Sequence, residues 1–462
     1  MKKIVLALFL CACMVLPLFP GCSTNTVDED TLVVWEAGLD PDYKSTLVVD
    51  PDNRTAQFTK LIVDKFEADN PGKTVRLVYA GWGESLNMAI TNAIISREEV
   101  DLIAGEIYVQ RLIDGEFFVP IEGVNYKDRI LPFLYDRYNT AEETYAVPAY
   151  GGSFVLFVNK GTLRKAGIID ENDAVTEEYR TKYEEAGIDP LDPETFEDML
   201  VVCQDVRAAS STGLYGGTII NDVPTGDDSA WRALAYMKQA GGDYVNENGE
   251  PYLNSPENQK AFEMMVALNE TAPKNSEKKA NTNDIIQYFR ANNIAYLVEG
   301  SSVLTLIGQR DPAYGEVLVR ELPQFEGVNI KSNVSVGSVY YSIPVHSQKQ
   351  ELAKAFIETL LSDEVQLAAV QLDSRVPAVT TVLNSDAIKT EEYRYSEMQA
   401  FYAPYIEDGY TDVEPLHAFE NNISLIWDAW RSFVNSVFSQ HEPLAEYLES
   451  TQNQMMDLYT RE

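Results

Sequence analysis

An α/β chain folded as two lobes is what this sequence predicts, on three observations. Strand and helix patterns alternate three times between Leu32 and Ile113, the signature of a parallel sheet covered by helices. The 462 residues, 45% hydrophobic and 11% aromatic, carry enough apolar surface for two cores. The extended stretch from Tyr145 to Val158 is broken by Pro148, Gly151 and Gly152, which marks a passage between lobes with a hinge at Gly151 and Gly152. A plain strand-turn-strand within one domain is the alternative for that stretch.

The chain begins with Lys2 and Lys3, an uncharged apolar run from Ile4 to Phe19, and Pro20-Gly21-Cys22, the plan of a secretory signal. Ser23 to Asp30 is polar and acidic and reads as a tether. Leu32 to Trp35 is a buried-strand pattern, and Phe58, Leu61, Ile62 and Phe66 recur at helical spacing until Asn70-Pro71-Gly72. Val75, Leu77 and Tyr79 alternate as a strand, Leu86 to Ile94 form a helical face, Asp101 to Ala104 is a strand, and Val109 to Ile113 a helix. Ligands in such sheets sit at the carboxyl ends of the strands, so Trp35, Glu36, Trp82, Gly105 and Glu106 are expected on one rim.

Further on, Thr195 to Ala208, Ala230 to Ala240 and Ser255 to Glu270 read as helices, Gly241 to Leu253 as a hairpin, and Ile294 to Val298 as a strand entering Glu299-Gly300-Ser301-Ser302. That strand end is a second candidate crossing, with Gly300 as a hinge residue. A third lies at Val336 to Pro344, through Tyr341, before helices at Glu351 to Leu361 and Ser362 to Val370. A long helix covers Asn421 to Phe438. The expected division is 1–22 signal, 23–30 tether, 31–149 plus 301–341 first lobe, and 150–300 plus 342–462 second lobe.

The charge of −36, from 72 acidic against 36 basic residues, repels phosphate backbones, so nucleic acid is not an expected partner. It favours a neutral or cationic ligand over an anionic one. Cys203 shares an apolar helix face with Phe196, Met199 and Leu200 and is read as core rather than nucleophile. His346, His417 and His441 stand apart, with no metal-ligand spacing. Asp50-Pro51-Asp52-Asn53 lacks the glycine of a calcium loop, Gly72-Lys73-Thr74 follows a helix rather than opening one, and no Gly-x-Ser-x-Gly elbow occurs. No metal and no cofactor is expected.

Lys60 to Gln110, Tyr145 to Ile168, Thr195 to Asn269, Phe289 to Ser302 and Gly337 to Ala378 follow one another in a familiar order. With Tyr145-Ala-Val-Pro, Phe157-Val-Asn-Lys160, Pro193-Glu-Thr-Phe-Glu-Asp198 and Leu352-Ala-Lys-Ala-Phe-Ile-Glu358, the chain resembles the bacterial family 1 extracellular solute-binding proteins of sugar ABC transporters, the group that includes maltose-binding protein. Gly21-Cys22 resembles the lipobox of bacterial lipoproteins, with Cys13 as the alternative lipidated residue. The resemblance implies a periplasmic-binding-protein-like fold, two α/β lobes joined by a multi-crossing hinge with the ligand in the cleft between them. It also implies a non-enzymatic monomer with three partners: a carbohydrate ligand, ABC permease subunits, and the lipid bilayer through acylated Cys22.

A neutral sugar needs carboxylates for its hydroxyls, a fork of donors, and aromatic rings for its apolar face. Trp427 and Arg431, four residues apart on one helix face, match a sugar-contacting pair of maltose-binding protein; Trp430 is read as core. The resemblance also puts Glu36, Glu106 and Tyr150 at ligand-touching loop positions. Asp227 and Trp231 begin a helix after a Gly- and Asp-rich loop, and Trp82 and Glu299 complete the set. Glu299-Gly300-Ser301-Ser302 lacks the tryptophan that follows the corresponding glycine in the maltose binder, which points to another saccharide. A secreted glycosidase or lyase using paired acids such as Glu36 and Glu106, a sensory partner of a membrane kinase, and an amino acid or polyamine binder remain as alternatives.

Overall fold

A computed structural model gives the fold and describes residues 28–36, 38–81, 83–96, 98–105, 109–123, 125–140, 142–220, 228–274, 276, 282–307, 316–333, 338–390, 395–412, 423–439 and 443–461. The expected signal segment, Cys22, and the expected site residues Trp82, Glu106 and Asp227 lie outside the described residues, as do His417 and His441.

The strands in chain order are β1 (Thr31–Glu36), β2 (Thr74–Tyr79), β3 (Leu102–Gly105), β4 (Val147–Gly151), β5 (Val155–Asn159), β6 (Tyr296–Glu299), β7 (Val317–Arg320), β8 (Lys331–Asn333), β9 (Val339–Ser342), β10 (Val376–Pro377) and β11 (Tyr410–Asp412). They form a six-stranded sheet in the order β10-β4-β9-β3-β1-β2, a three-stranded sheet β6-β5-β7, and a small pair β11-β8. β1 runs parallel to β2 and β3, as the strand-helix alternation predicts, with Val34 beside Leu77 and Leu102. β9 and β4 are antiparallel members of the same sheet.

Helix Arg54–Asp69 starts where the Asn53 side chain accepts from the Ala56 N–H, and it buries Phe58, Ile62 and Phe66. Helix Phe196–Ala209 starts on a capping box between Thr195 and Asp198 and buries Met199 and Cys203. Ser255 caps helix Pro256–Asn269 through the Asn258 N–H. Cys203 is core, as its helix face predicts, and burial raises the pKa of its thiol.

β4 belongs to the first sheet and β5 to the second, so the chain does pass between sheets at Gly151 to Phe154. Each face of β5 is covered: Val155 and Phe157 join the core around the first sheet, Leu156 and Val158 the core of the second.

Two expectations about the division of the chain meet a different arrangement. Tyr341 sits inside β9, between β3 and β4, so the passage at that point precedes β9 instead of following Tyr341. Residues after 342 do not all join the second sheet: helices Gln350–Leu360 and Asp363–Asp373 pack on helix Arg54–Asp69, and β10 pairs with β4. Conversely, β7 pairs with β5. Apolar periodicity predicts a buried face and leaves open which sheet that face covers. The chain returns to the second sheet through helix Tyr395–Ile406, which packs on β7, and β11 then pairs with β8 in the small separate sheet.

Candidate functional site

The ends of β1 and β6 each carry a glutamate, and each is buried and held by its own lobe. Glu36 ends β1; its Oε1 accepts from the Gly38 N–H at 2.6 Å and its Oε2 from the Tyr341 hydroxyl at 2.6 Å. Arg375 closes the group from the far side: its Nη2 donates to the Gly38 carbonyl at 3.1 Å, its Nε to Asp373, and its guanidinium covers the Tyr150 ring at 5.0 Å. A Cβ on Gly38 would meet Arg375 Nη2 at 2.6 Å, so a larger residue there would push the guanidinium from its present place.

Burial opposes the charge on Arg375, but the facing Asp373 carboxylate, with Tyr150 and Glu36, outweighs it and holds the guanidinium protonated. Burial and then the Glu36 carboxylate push the Tyr341 hydroxyl well above its ordinary pKa, so it remains a donor to Glu36. Burial likewise raises Tyr150, whose hydroxyl has no hydrogen-bond partner among the described residues. Tyr150 packs edge-on against Phe58 at 5.7 Å, inside the first lobe.

In the second lobe Glu299 ends β6. Its Oε2 receives Arg232 Nη2 at 2.6 Å and its Oε1 the Gly300 N–H at 2.8 Å. Arg232, 1% exposed, also donates to the Val298 and Ile220 carbonyls. A buried pair survives only with such additional bonds, because each ion has left water. Next to Arg232, Trp231 lies 5.0 Å from Trp427, and Trp430 Nε1 donates to the Ala230 carbonyl at 3.2 Å.

Trp427 therefore faces helix Asp228–Gln239. It is 0% exposed, and the reading of it as a ligand-facing ring gives way to one of core packing. Helix Ile423–Val437 is strongly amphipathic, and Trp427 falls on its buried face with Ile426, Trp430 and Val434, whereas Arg431 falls at the edge of that face. Trp430 is core, as expected. Arg431 is partly exposed and pairs with Asp428 at 2.8 Å. Gly300 leads from β6 into helix Ser302–Ile307, which packs on helix Asp363–Asp373.

Sequence reasoning did not find Arg232, Asp373 or Arg375. A lone arginine in the apolar run Ala230 to Met237 was the available signal for the first; the Asp-x-Arg spacing of Asp373 and Arg375 was the signal for the others. An open groove of about 590 Å³ lies between Asp192 to Thr195 and Glu321 to Lys331.

A family model described as bacterial extracellular solute-binding protein matches residues 51–367, well over half of the chain. An arabinooligosaccharide-binding protein of Halalkalibacterium halodurans is 21% identical over 234 residues, which are 50% of this chain and 46% of that protein. The chain thus spans about half the length of that relative. Among solved structures, the GacH receptor of Streptomyces glaucescens, described unliganded and in complex with acarbose, matches with a TM-score of 0.69 at 19% identity over 93% of this chain and 98% of its own. Maltose-bound MalE3 of T. maritima matches with a TM-score of 0.71 at 16% identity, over 93% and 99% of the two chains. At these identities the likeness establishes the fold.

Proposed function

The chain belongs to the bacterial extracellular solute-binding protein family and has its periplasmic-binding-protein-like fold, and from that premise we propose that it captures an oligosaccharide between its two lobes and delivers it to the permease of an ABC importer. That family is one of binding proteins rather than enzymes. The observation that carries the reading is the pair of sheets joined by the β4–β5 passage, each ending a strand on a buried, internally braced glutamate, Glu36 in one and Glu299 in the other. A cleft between two such ends binds by closing, because only contacts absent from the open state shift the equilibrium.

Carbohydrate as the ligand class is supported by the relatives: one is named for arabinooligosaccharides, one is described with acarbose and one with maltose. The acidic balance of the chain agrees with a neutral ligand. In this reading Trp82, Glu106 and Asp227 touch the sugar, Arg431 stands at the edge, and Glu36, Tyr150, Glu299, Trp231 and Trp427 hold the walls. Lipidated Cys22 anchors the protein to the outer face of the membrane, and the lobes work as a monomer.

Titration calorimetry against arabino-, xylo- and malto-oligosaccharides tests the function. The expected result is a dissociation constant of about 1 μM or lower for one series, with a negative heat-capacity change. No binding below about 1 mM to any of them overturns the carbohydrate reading, and shortened products after prolonged incubation overturn the non-catalytic one. Metabolic labelling with a fatty-acid probe, lost in Cys22→Ser and retained in Cys13→Ser, tests the anchor.

A further inference from the structure

The passage from β4 to β5 is gripped by a residue far along the chain. Tyr405 sets its hydroxyl against both polar groups of one peptide residue: the Gly152 N–H donates to it at 3.2 Å, and it donates to the Gly152 carbonyl at 2.6 Å. Neither Gly151 nor Gly152 is among the glycines at positive φ, so backbone conformation does not explain them. Close approach does at Gly151, where a Cβ would stand 3.1 Å from Tyr405 Oη and 3.2 Å from Leu134 Cδ1.

The helix that carries Tyr405, Tyr395–Ile406, is tied to both lobes. Four residues before Tyr405 on the same face, Phe401 puts its ring 6.0 Å from Phe157 of β5, and its carbonyl accepts from the Ser153 hydroxyl at 3.4 Å. Beyond the helix, β11 pairs with β8, and the Tyr410 hydroxyl and Lys331 both donate to Glu321, at 2.6 Å and 2.7 Å. Phe157 and Ser153 belong to or adjoin β5 of the second sheet, and Glu321 directly follows β7 of that sheet. On the other side the Tyr405 ring lies 6.2 Å from Phe133, whose short helix packs on β4 of the first sheet. Pro404, inside the helix, removes one helical hydrogen bond immediately before Tyr405 and makes that point easier to bend.

We infer that Tyr405 is a latch on the passage between the lobes: by holding both the N–H and the carbonyl of Gly152, it selects one backbone arrangement there and so restricts the relative positions the lobes adopt without ligand. Rotation of the lobes about Gly151 to Ser153 has to break the two bonds or drag the strap from Tyr395 to Asp412 with it. The inference rests on the two-lobe binding reading only in taking the lobes to move, and the test is made in buffer without any sugar, so the failure of either is seen separately.

The variant is Tyr405→Phe, which keeps the ring against Phe133 and removes the hydroxyl. Hydrogen exchange at the Gly152 amide is expected to accelerate by about tenfold, the factor one hydrogen bond of upper ordinary net strength supplies. Small-angle scattering of the same sample is expected to show a broadened distance distribution, with far-ultraviolet circular dichroism unchanged. If the hydroxyl serves local stability alone, Tyr405→Phe lowers the melting temperature and leaves the scattering profile as in the parent; that result overturns the latch. So does faster exchange with an unaltered profile. Should Tyr405→Phe fail to fold, Gly151→Ala crowds the same hydroxyl from the opposite side, and the same broadening is expected from it. A parent-like profile in a folded Gly151→Ala is then the overturning result.

Discussion

Arg232 Nη2 stands 2.6 Å from Glu299 Oε2, with both side chains out of solvent. Removing one partner strands the other charge in the core. Arg232→Ala is expected to cost about 3–5 kcal/mol of unfolding free energy, while Arg232→Met combined with Glu299→Leu is expected to cost far less, since no charge is then left buried. Urea unfolding curves of the two variants make the comparison, and equal losses would show that the pair contributes only volume.

Trp427 separates stability from recognition. Its ring is packed on Trp231, so Trp427→Ala is expected to lower stability by about 3–5 kcal/mol through the cavity it leaves. Sugar affinity measured on the folded protein is expected to stay close to the parent's. A variant with parental stability and lost affinity would return this ring to the ligand.

Asp173 contributes a pH dependence to stability. Burial works to raise its carboxyl pKa, but the bonds from Lys160 and Arg164 outweigh that and hold it below the ordinary carboxylate value. A folded pKa below the unfolded one means that the stabilisation is present above the unfolded value of about 3.9 and is lost as pH falls through the folded value. Asp173→Asn is therefore expected to be less stable than the parent at neutral pH, with the difference shrinking below about pH 4. Asparagine is the apt replacement because residue 173 sits at φ 63°, which asparagine tolerates. A gap that stays constant with pH would assign the loss to the turn instead of the charge.

Cys203 is fully buried, and burial raises its thiol pKa. Ellman's reagent is expected to leave it untouched in the native protein and to modify it once urea has unfolded the chain. Rapid native labelling would contradict the packing of helix Phe196–Ala209.

Much of the first sheet was legible because its strands and helices alternate over short distances, where periodicity has a single interpretation. Leu32 to Trp35 and Val75 to Tyr79 fall on strands in the predicted order, and the stretch expected from Asp101 to Ala104 forms one at Leu102–Gly105. The capped helices at Thr195 and Ser255 were legible for the same local reason. What periodicity does not carry is the identity of the partner surface. Trp427 reads equally well as a wall or as a lining, and helices Gln350–Leu360 and Asp363–Asp373 carry apolar faces that fit either sheet. Their assignment depends on contacts with Arg54–Asp69, hundreds of positions away. The buried ions were missed because an arginine among apolar residues signals pairing only once its carboxylate is placed, and Glu299 lies far from Arg232 in sequence.

β9 fills the place between β3 and β4, and β10 flanks β4 on the other side. Both are made after β5, β6 and β7, the three strands of the other sheet. The first lobe consequently has no finished sheet while its own early strands are the only ones available; it waits for chain that is synthesised late. Pairing over such separations is slow to form. Completion of the first sheet is therefore tied to the last-made of its strands, β9 and β10.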